Sequence, residues 1–549
     1  MTSAVAPLQY REFRSLWSVT IFSATGTFIQ SVAGSWLMFE LTGSSTWVGL
    51  MVASATLPFL FLSLLSGALA DMFDRAKLML IAQTIMASSA LAMALFTYLD
   101  LMTPGLLLGL GLVLGGGTTL NLPAWQALLP DLVPRTMIAS AVALQSAAFN
   151  AARAVGPALG GFLVAAFGPA LGFGINAVTY VSVIVVVILI APALTVRERD
   201  AGSIASAASI GIRYARFTPA FKSLLGLVAL FSMTSAVVQA ILPVHTDHLG
   251  GSAGVFGILL GVMGAGALIG AFARPRLVRS TNANTVPYTV ALFGLSGILL
   301  GLAPNLLVAG LAMLLCGCFW LLTLSTLNAT AQLMAPEWIR GRAMSLYNLA
   351  FAGMPLGSIL AGGVADEVGT PGALVIFSVG SVVLGLLTPR FGIPRLEDIE
   401  SPEFSNGRPA PVHDAASLEG GPVIVLNTWE IGEGEFPAFA RVMNQLRLVR
   451  LSTGAYRWRL MRNVSEPNQV TELFATRSWE DHLAQHSRID DASADLIRRA
   501  REFDRADGPR TRHLIAIDVA DIEDFDELVA THAEMHLHDG SISLPDQEI

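Results

Sequence analysis

Residues 47–98 read WVGLMVASATLPFLFLSLLSGALADMFDRAKLMLIAQTIMASSALAMALFTY. Two apolar runs, 47–70 and 78–98, flank a short turn that carries Asp71, Asp74, Arg75 and Lys77. A bilayer core of about 30 Å needs roughly 20 apolar residues in helical form, so each run is long enough to cross it. Lipid offers no partner for backbone N–H and C=O groups, and a helix satisfies all of them internally. The stretch therefore reads as a helical hairpin in a membrane, its charged turn at one face.

The same pattern repeats outward in both directions. Apolar runs recur at 17–39, 104–122, 137–167, 171–192, 221–243, 254–273, 284–303, 306–328, 343–365 and 371–391, giving twelve spans in all. Mean hydropathy is +0.61, and only 13% of the 549 residues are charged. Soluble chains carry about a quarter. Met1 to Arg14 is polar and the first apolar run continues for a full span, which is not the pattern of a cleavable signal peptide.

Cations orient the spans, because Lys and Arg concentrate in cytoplasmic loops. With the N-terminus inside, the inner segments hold seventeen Lys and Arg residues and the outer loops none. The outer loops hold Glu40, Asp100, Asp247, Asp366 and Glu367 instead. Both termini are expected in the cytoplasm, and the location implied is a bacterial inner membrane.

The chain divides by charge. Residues 1–395 carry a net +6 and residues 396–549 a net −14. The expected organisation is a six-helix half at 1–192, a cytoplasmic loop at 193–220 and a second six-helix half at 221–395. A linker rich in Pro and Gly at 396–421, a soluble α+β domain at 422–520 and an acidic tail at 521–549 follow. Within the loop, Ile210 to Arg216 reads as an amphipathic helix on the inner leaflet. Gln126-Ala-Leu-Leu-Pro130-Asp131 is echoed by Gln332-Leu-Met-Ala-Pro336-Glu337, which suggests duplicated halves with a site between them at mid-membrane depth.

In the soluble part, Val423–Trp429, Ala455–Asn463, Val470–Ser478 and Arg512–Asp518 read as strands, and Glu435–Leu451 and Ala492–Arg505 as helices. A βαββαβ order fits a ferredoxin-like fold. Its acidity argues against nucleic acid as a partner, since phosphate contacts need clustered cations. His482 and His486 are four apart, a spacing that can bind a metal on a helix, but a surface helix with two ordinary histidines is the plainer reading. No metal site, cofactor motif or nucleophile–base pair is evident, so catalysis is not expected. Cys316 and Cys318 sit in an apolar run and read as small helix residues.

Gly67-Ala-Leu-Ala-Asp71-Met-Phe-Asp74-Arg75-Ala-Lys77 resembles the signature of the major facilitator superfamily, with Gly67, Asp71, Arg75 and Lys77 at matching positions. Met72 and Asp74 depart from the pattern. The resemblance implies a cytoplasmic gate, in which a carboxylate caps a neighbouring helix and Arg75 pairs with an acid; Asp131 is the candidate. The bland alternative is that these are topogenic charges. Span five contains Asn150-Ala-Ala-Arg153-Ala-Val-Gly156-Pro157-Ala-Leu-Gly160-Gly161, similar to the packing motif of facilitator exporters. Gly156, Gly160 and Gly161 permit close helix approach, and Pro157 weakens the helix.

Arg153 stands inside an apolar span, where a cation costs at least about 2.5 kcal/mol. It is expected to face a wet cavity and to bind substrate or couple transport, with Asn150 and Gln145 on the same helix; the alternative is that it snorkels inward. Gln30, Asn121 and Trp36 join the candidate substrate residues, and Trp125 and Trp320 are further aromatic candidates. No Asp or Glu lies deep in any span, so proton coupling has no evident carrier.

Pro123 to Pro134, Asn150 to Gly161, Thr453-Gly-Ala-Tyr-Arg-Trp458 and Ser478-Trp-Glu-Asp-His482-Leu-Ala-Gln-His486 together resemble the transmembrane secretion effector branch, which includes enterobactin-type exporters. The resemblance implies export of a small organic molecule by alternating access. The tail resembles the dimeric α/β-barrel group, which implies dimerisation or regulation. A membrane-tethered enzyme and a non-transporting sensor are the alternatives. A polar pocket in 422–520 would favour the enzyme, and a membrane part without a cavity the sensor.

Overall fold

The computed structural model describes residues 5–62, 66, 74–190, 204–280, 285–336, 338–394, 422–489, 491–506 and 508–515. The chain forms two compact units, Met1–Ser401 and Pro402–Ile549.

The first unit is helical. Its helices are α1 (Arg11–Thr42), α2 (Ser45–Ser54), α3 (Arg75–Tyr98), α4 (Pro104–Leu132), α5 (Ile138–Phe167), α6 (Pro169–Ile190), α7 (Ile204–Phe217), α8 (Pro219–Ser235), α9 (Val237–Ala240), α10 (Leu242–His248), α11 (Ala253–Ser280), α12 (Thr285–Gly301), α13 (Leu306–Met334), α14 (Arg340–Ala350) and α15 (Gly353–Leu387). Nine helical stretches among the described residues are long and apolar enough to cross a membrane.

Local chemistry sets the helix ends. Ser44, Asp74, Thr103 and Asn305 each accept a backbone N–H in the first turn of α2, α3, α4 and α13, relieving one of the donors a helix start leaves unpaired. Asp74, a departure from the family pattern, is thus the residue that caps α3 through the Lys77 N–H at 3.0 Å. Gly43 ends α1 in the left-handed region at φ 63°, which a side chain would disfavour. Gly369 at φ 78° interrupts α15, just before Pro371.

The amphipathic stretch in the inter-half loop lies within the longer α7. Rather than resting only on a lipid surface, its C-terminal part packs on protein. The Tyr214 hydroxyl donates to the Met334 carbonyl at 2.8 Å, and the Tyr214 ring meets Phe221 and Trp338.

The second unit holds strands β1 (Val423–Glu430), β2 (Arg457–Arg462), β3 (Gln469–Thr476) and β4 (Arg510–Ile515), all paired antiparallel in the order β2-β3-β1-β4. Helix α16 (Phe436–Thr453) joins β1 to β2, and α17 (Trp479–Ser487) and α18 (Asp491–Arg501) join β3 to β4. The residues expected as strands and helices fall on these elements, with ends shifted by a few residues, except that 516–518 of the expected last strand lie outside the described residues.

One face of the sheet is buried through alternate residues. Trp429 of β1 and Val470 of β3 join the helix residues Phe439, Met443 and Leu446 in one cluster, and Val425 of β1 and Phe474 of β3 join Val423 and Ala455 in a second. Glu472 is fully buried on the same face. Its carboxylate accepts from Asn427 at 2.7 Å, Trp458 at 3.0 Å and Arg450 at 3.2 Å. A buried charge is tolerable when its lone pairs are satisfied in this way.

Three imidazoles cluster beside this network. The His482 ring centroid lies 4.8 Å from those of both His486 and His513, and Trp479 packs against His482 and His513. His482 and His486 bring their Nε2 atoms to 3.3 Å, one donating to the other. The third histidine is therefore supplied from β4, far away in sequence. Among the described residues no group of three His, Cys, Asp or Glu is arranged to hold a metal ion.

Candidate central cavity

Helix α5 is the element that builds the site. Phe149, Arg153 and Pro157 recur every fourth residue and so share one helix face. All three line a cavity of about 310 Å³. Phe28, Ser31 and Val32 of α1 complete the wall from the N-terminal helices. Gln239 of α9, Leu260, Met263, Gly264 and Ala267 of α11, Gly317 and Trp320 of α13, and Phe351 and Met354 close it from the second set. The cavity thus lies between helices of the chain's N-terminal part, α1 and α5, and helices from α9 onward, two sets called halves below.

Arg153 is the single charged residue among those lining the cavity. Its guanidinium carbon sits 5.0 Å from the Phe149 ring centroid and 5.2 Å from that of Trp320. The first contact is within α5, and the second spans the two halves. Each is worth about 0.5–2 kcal/mol, depending on desolvation. Among the described residues none accepts a hydrogen bond from it, which leaves its five N–H donors to an anionic or carbonyl-bearing guest. Around them the wall is aromatic and thioether-rich, with Ser31, Gln239 and the Trp320 indole as polar handles. Such a surface suits a flat, electron-rich organic molecule and adapts to several shapes.

The glycine motif of α5 positions this wall. A Cβ added at Gly156 would meet Phe28 Cβ at 2.7 Å, and one at Gly160 would meet Ile29 Cα at 2.9 Å, so both face α1. At Gly161 the added atom would meet Gly257 Cα at 2.6 Å and the Ala253 carbonyl at 2.7 Å. Gly161 therefore faces α11, across the boundary between the halves. Pro157 has no N–H for the carbonyl of Arg153, one turn back, and that carbonyl lies at Gly264 of α11, 2.7 Å from where a Cβ would stand.

Beyond the cavity, the halves are joined at the end of the bundle where α2 begins. The Asp366 carboxylate of α15 accepts from the Ser45 N–H at 2.7 Å, the Thr46 N–H at 3.1 Å and the Ser44 hydroxyl at 2.7 Å. An anion at a helix start is favoured by the unpaired N–H groups and the helix dipole. Gly362 packs on Ser45 and Thr46 beside it. Charge-assisted bonds contribute about 1.5–3 kcal/mol each. Asp366→Ala is therefore expected to raise the population in which this end is parted, by roughly tenfold or more. Spin labels at residues 43 and 367 would read it as a longer distance, and an unchanged distance distribution would remove the latch role from Asp366.

The other sequence candidates lie elsewhere. Gln30 is buried against Asn176, whose amide donates to it at 2.5 Å, and it donates to Met93 Sδ. Asn121 accepts from Gln83 at 3.1 Å. Trp36 donates to Glu40 at 2.7 Å and stacks on Phe256. Trp125 is buried in a cluster with Phe13 and Leu128. Asn150 donates to the Ser146 carbonyl of its own helix. The Gln145 carbonyl oxygen is buried with no hydrogen-bond partner among the described residues. None of these six lines the cavity.

At the opposite end of the bundle, Arg75 and Lys77 open α3. Gly67, Asp71 and Glu337 lie outside the described residues, as does the side chain of Asp131. Cavity residues that the sequence did not single out include Phe28, Ser31, Phe149, Met263, Phe351 and Met354. Apolar residues in apolar helices carry no signal that separates lumen from lipid.

The chain matches the model of the transmembrane secretion effector family over residues 2–521. It is similar to the staphyloferrin A transporter of Staphylococcus aureus, 23% identical over 66% of this chain and 91% of the relative. The multidrug efflux pump Tap of Mycolicibacterium fortuitum is 25% identical over 69% of this chain and 94% of its own. The enterobactin exporter EntS of Citrobacter koseri is 28% identical over 64% and 81% respectively. Among solved structures, the nucleoside transporter NupG superposes with a TM-score of 0.58 at 12% identity, over 70% of this chain and all of its own. An inward-facing bacterial homologue of the lysosomal transporter Spinster gives a TM-score of 0.56 at 14% identity, over 73% and 100%. With the family model matched over nearly its whole length, the chain belongs to the transmembrane secretion effector family of the major facilitator superfamily.

Proposed function

We propose that the protein is a secondary transporter that exports a small organic molecule, anionic or electron-rich and with aromatic surface, across the bacterial cytoplasmic membrane. The observation that carries this reading is Arg153, set between Phe149 and Trp320 in a cavity between two sets of helices. The relatives' names, two for siderophores and one for drugs, support the substrate class.

The membrane part is read as twelve spans in two halves, 1–192 and 221–395. The nine long apolar stretches support it once α1 is added, Thr285–Gly301 is counted as a short span, and Arg340–Phe391 is divided at Gly369. Both termini face the cytoplasm in this reading, so the Asp366 latch closes the outer side. Gly67, Asp71, Arg75, Lys77 and Asp131 form the inner gate that alternates with it. Proton coupling is the energy source to test first. The domain at 422–520 is read as ferredoxin-like, which the βαββαβ order and the sheet order support, and serves dimerisation or regulation.

Cells carrying the gene are expected to retain severalfold less of a catecholate or hydroxycarboxylate siderophore, or of an aromatic drug, than cells without it. Equal retention across such a panel would defeat the export reading. Cysteines near 43, 100 and 247 are expected to label from outside, and those near 75, 205 and 430 only after permeabilisation. External labelling at 430 would overturn the topology.

A further inference from the structure

The sheet of the second unit has two faces, and the helices account for one. On the other, the strand register sets out a small lattice. One row across the sheet runs Arg457, Ala475, Ile424, Leu514; the next Arg459, Leu473, Leu426, Arg512; the third Met461, Thr471, Thr428, Arg510. The middle is apolar or methyl-bearing, and the two edges carry four arginines. Arg457, Arg459, Arg510 and Arg512 are all exposed, as are Met461 and Leu514. These three rows contain no Asp or Glu; the nearest acid on this face is Glu430, in the row beyond, opposite Gln469.

Dimensions define what fits. The two arginine edges lie three strand spacings apart, about 14 Å. A helix with its side chains is about 10–12 Å across. One helix laid along the strands would therefore touch the apolar middle and bring its flanks to both arginine edges.

The chain itself carries such a segment. After β4 ends at Ile515, the sequence runs Ala516-Ile-Asp518-Val-Ala-Asp521-Ile522-Glu523-Asp524-Phe525-Asp526-Glu527-Leu528-Val529. Ile522, Phe525 and Val529 fall at i, i+3 and i+7, one stripe of a helix. Asp521, Glu523, Asp524, Asp526 and Glu527 fall beside it, and no Lys or Arg occurs between 513 and 549. The five residues of connection, 516–520, reach up to about 17 Å, enough to turn from the end of edge strand β4 back over the face.

We propose that residues 521–529 dock as an amphipathic helix on the arginine-edged face of their own sheet, with Ile522, Phe525 and Val529 on its apolar middle. The inference deepens the regulatory reading of the tail domain: the segment covers the face by which this domain would otherwise meet a second copy. Charge complementarity favours the segment over a second copy, since two such faces would bring eight guanidinium groups together. Docking is intramolecular, so even a weak contact is populated at the high effective concentration of a short tether.

The test uses the full-length protein in detergent micelles, with Cys316 and Cys318 replaced by Ala. A lone cysteine at Leu473→Cys is expected to react with maleimide at least fivefold faster in a chain ending at Ala520 than in the full chain. Equal rates would overturn the proposal. Independently, Phe525→Cys paired in turn with Ile424→Cys, Thr471→Cys or Leu473→Cys is expected to form an intrachain disulfide. Its yield should fall severalfold when the four arginines are changed to Gln or in 1 M salt, where screening acts within about 3 Å. Cross-links only between chains would assign the face to a second copy and defeat the proposal, as would no cross-link with any of the three partners. Transport is a separate readout, so a failed docking test leaves the export reading standing.

Discussion

Arg153→Met is expected to lose substrate binding and to lower export by roughly ten- to a hundredfold, with normal expression. Loss of one charge-assisted hydrogen bond to a bound anion removes about 1.5–3 kcal/mol, which converts to that range. The bundle should tolerate the change. The guanidinium makes ring contacts with Phe149 and Trp320, which a Met thioether also packs against, and replacing a buried cation by an apolar group often costs nothing. Arg153→Lys keeps the charge but loses the planar fork and the stacking face, so it should restore only part of the affinity. Binding measured on purified protein alongside efflux in cells separates a lost site from a lost protein. Wild-type export by the Met variant would reduce Arg153 to a residue at the edge of the apolar layer and withdraw the inference about substrate charge.

Gly161→Val should cripple transport for a different reason. Its Cβ would stand 2.6 Å from Gly257 Cα and 2.7 Å from the Ala253 carbonyl, both backbone atoms that cannot swing aside. Relief requires α5 and α11 to part, and overpacking of this kind costs about 1–3 kcal/mol. That penalty falls on conformers in which the two halves touch here, so populations shift by roughly five- to a hundredfold. The expected result is export reduced about tenfold or more, with a cysteine at Ser31→Cys becoming reactive from the outer side. Gly109→Ala is the control, because nothing lies within 4 Å of that position. If the Val variant transports normally, close contact between α5 and α11 is not part of the cycle.

That the first unit is built of long apolar helices was legible because length and apolarity are dictated by bilayer thickness. Which face of each helix meets the cavity was not. In α1, Phe28, Ser31 and Val32 line the lumen, whereas Gln30, the more polar side chain, turns toward Asn176 inside the first half. Lipid and helix interfaces are both apolar, so the periodicity that marks the inside of a soluble protein is faint here. Trp36 falls on the lumen stripe one turn after Val32, yet it is taken up by Glu40 and Phe256. Arg153 could be found from sequence because a charge in an apolar run has few places to go. The tail presents the reverse case. Alternation marked its strands, while the buried Glu472 network and the approach of His513 to His482 depend on a register between strands that no local pattern states.

That histidine trio is expected to make the second unit sensitive to acid. Burial, followed by the charges of His486, His513 and Arg450, holds His482 down to about 3. Burial also lowers His486 and His513, and Arg450 lowers His486 further. In the unfolded chain all three imidazoles would take up protons near pH 6.5, while the folded domain resists doing so. A depressed imidazole contributes stability that is whole above about pH 6.5 and is lost as pH falls toward the folded value. Corrected for the intrinsic pH dependence of amide exchange, the β1 and β3 peptides of the full-length protein should therefore lose protection steadily as pH falls from about 6.5 to 5. Changing all three histidines to Gln should flatten that response, and a wild-type profile already flat would deny the trio this role. Acid reaching the second unit would thus loosen its fold through three imidazoles that its packing keeps from taking up protons.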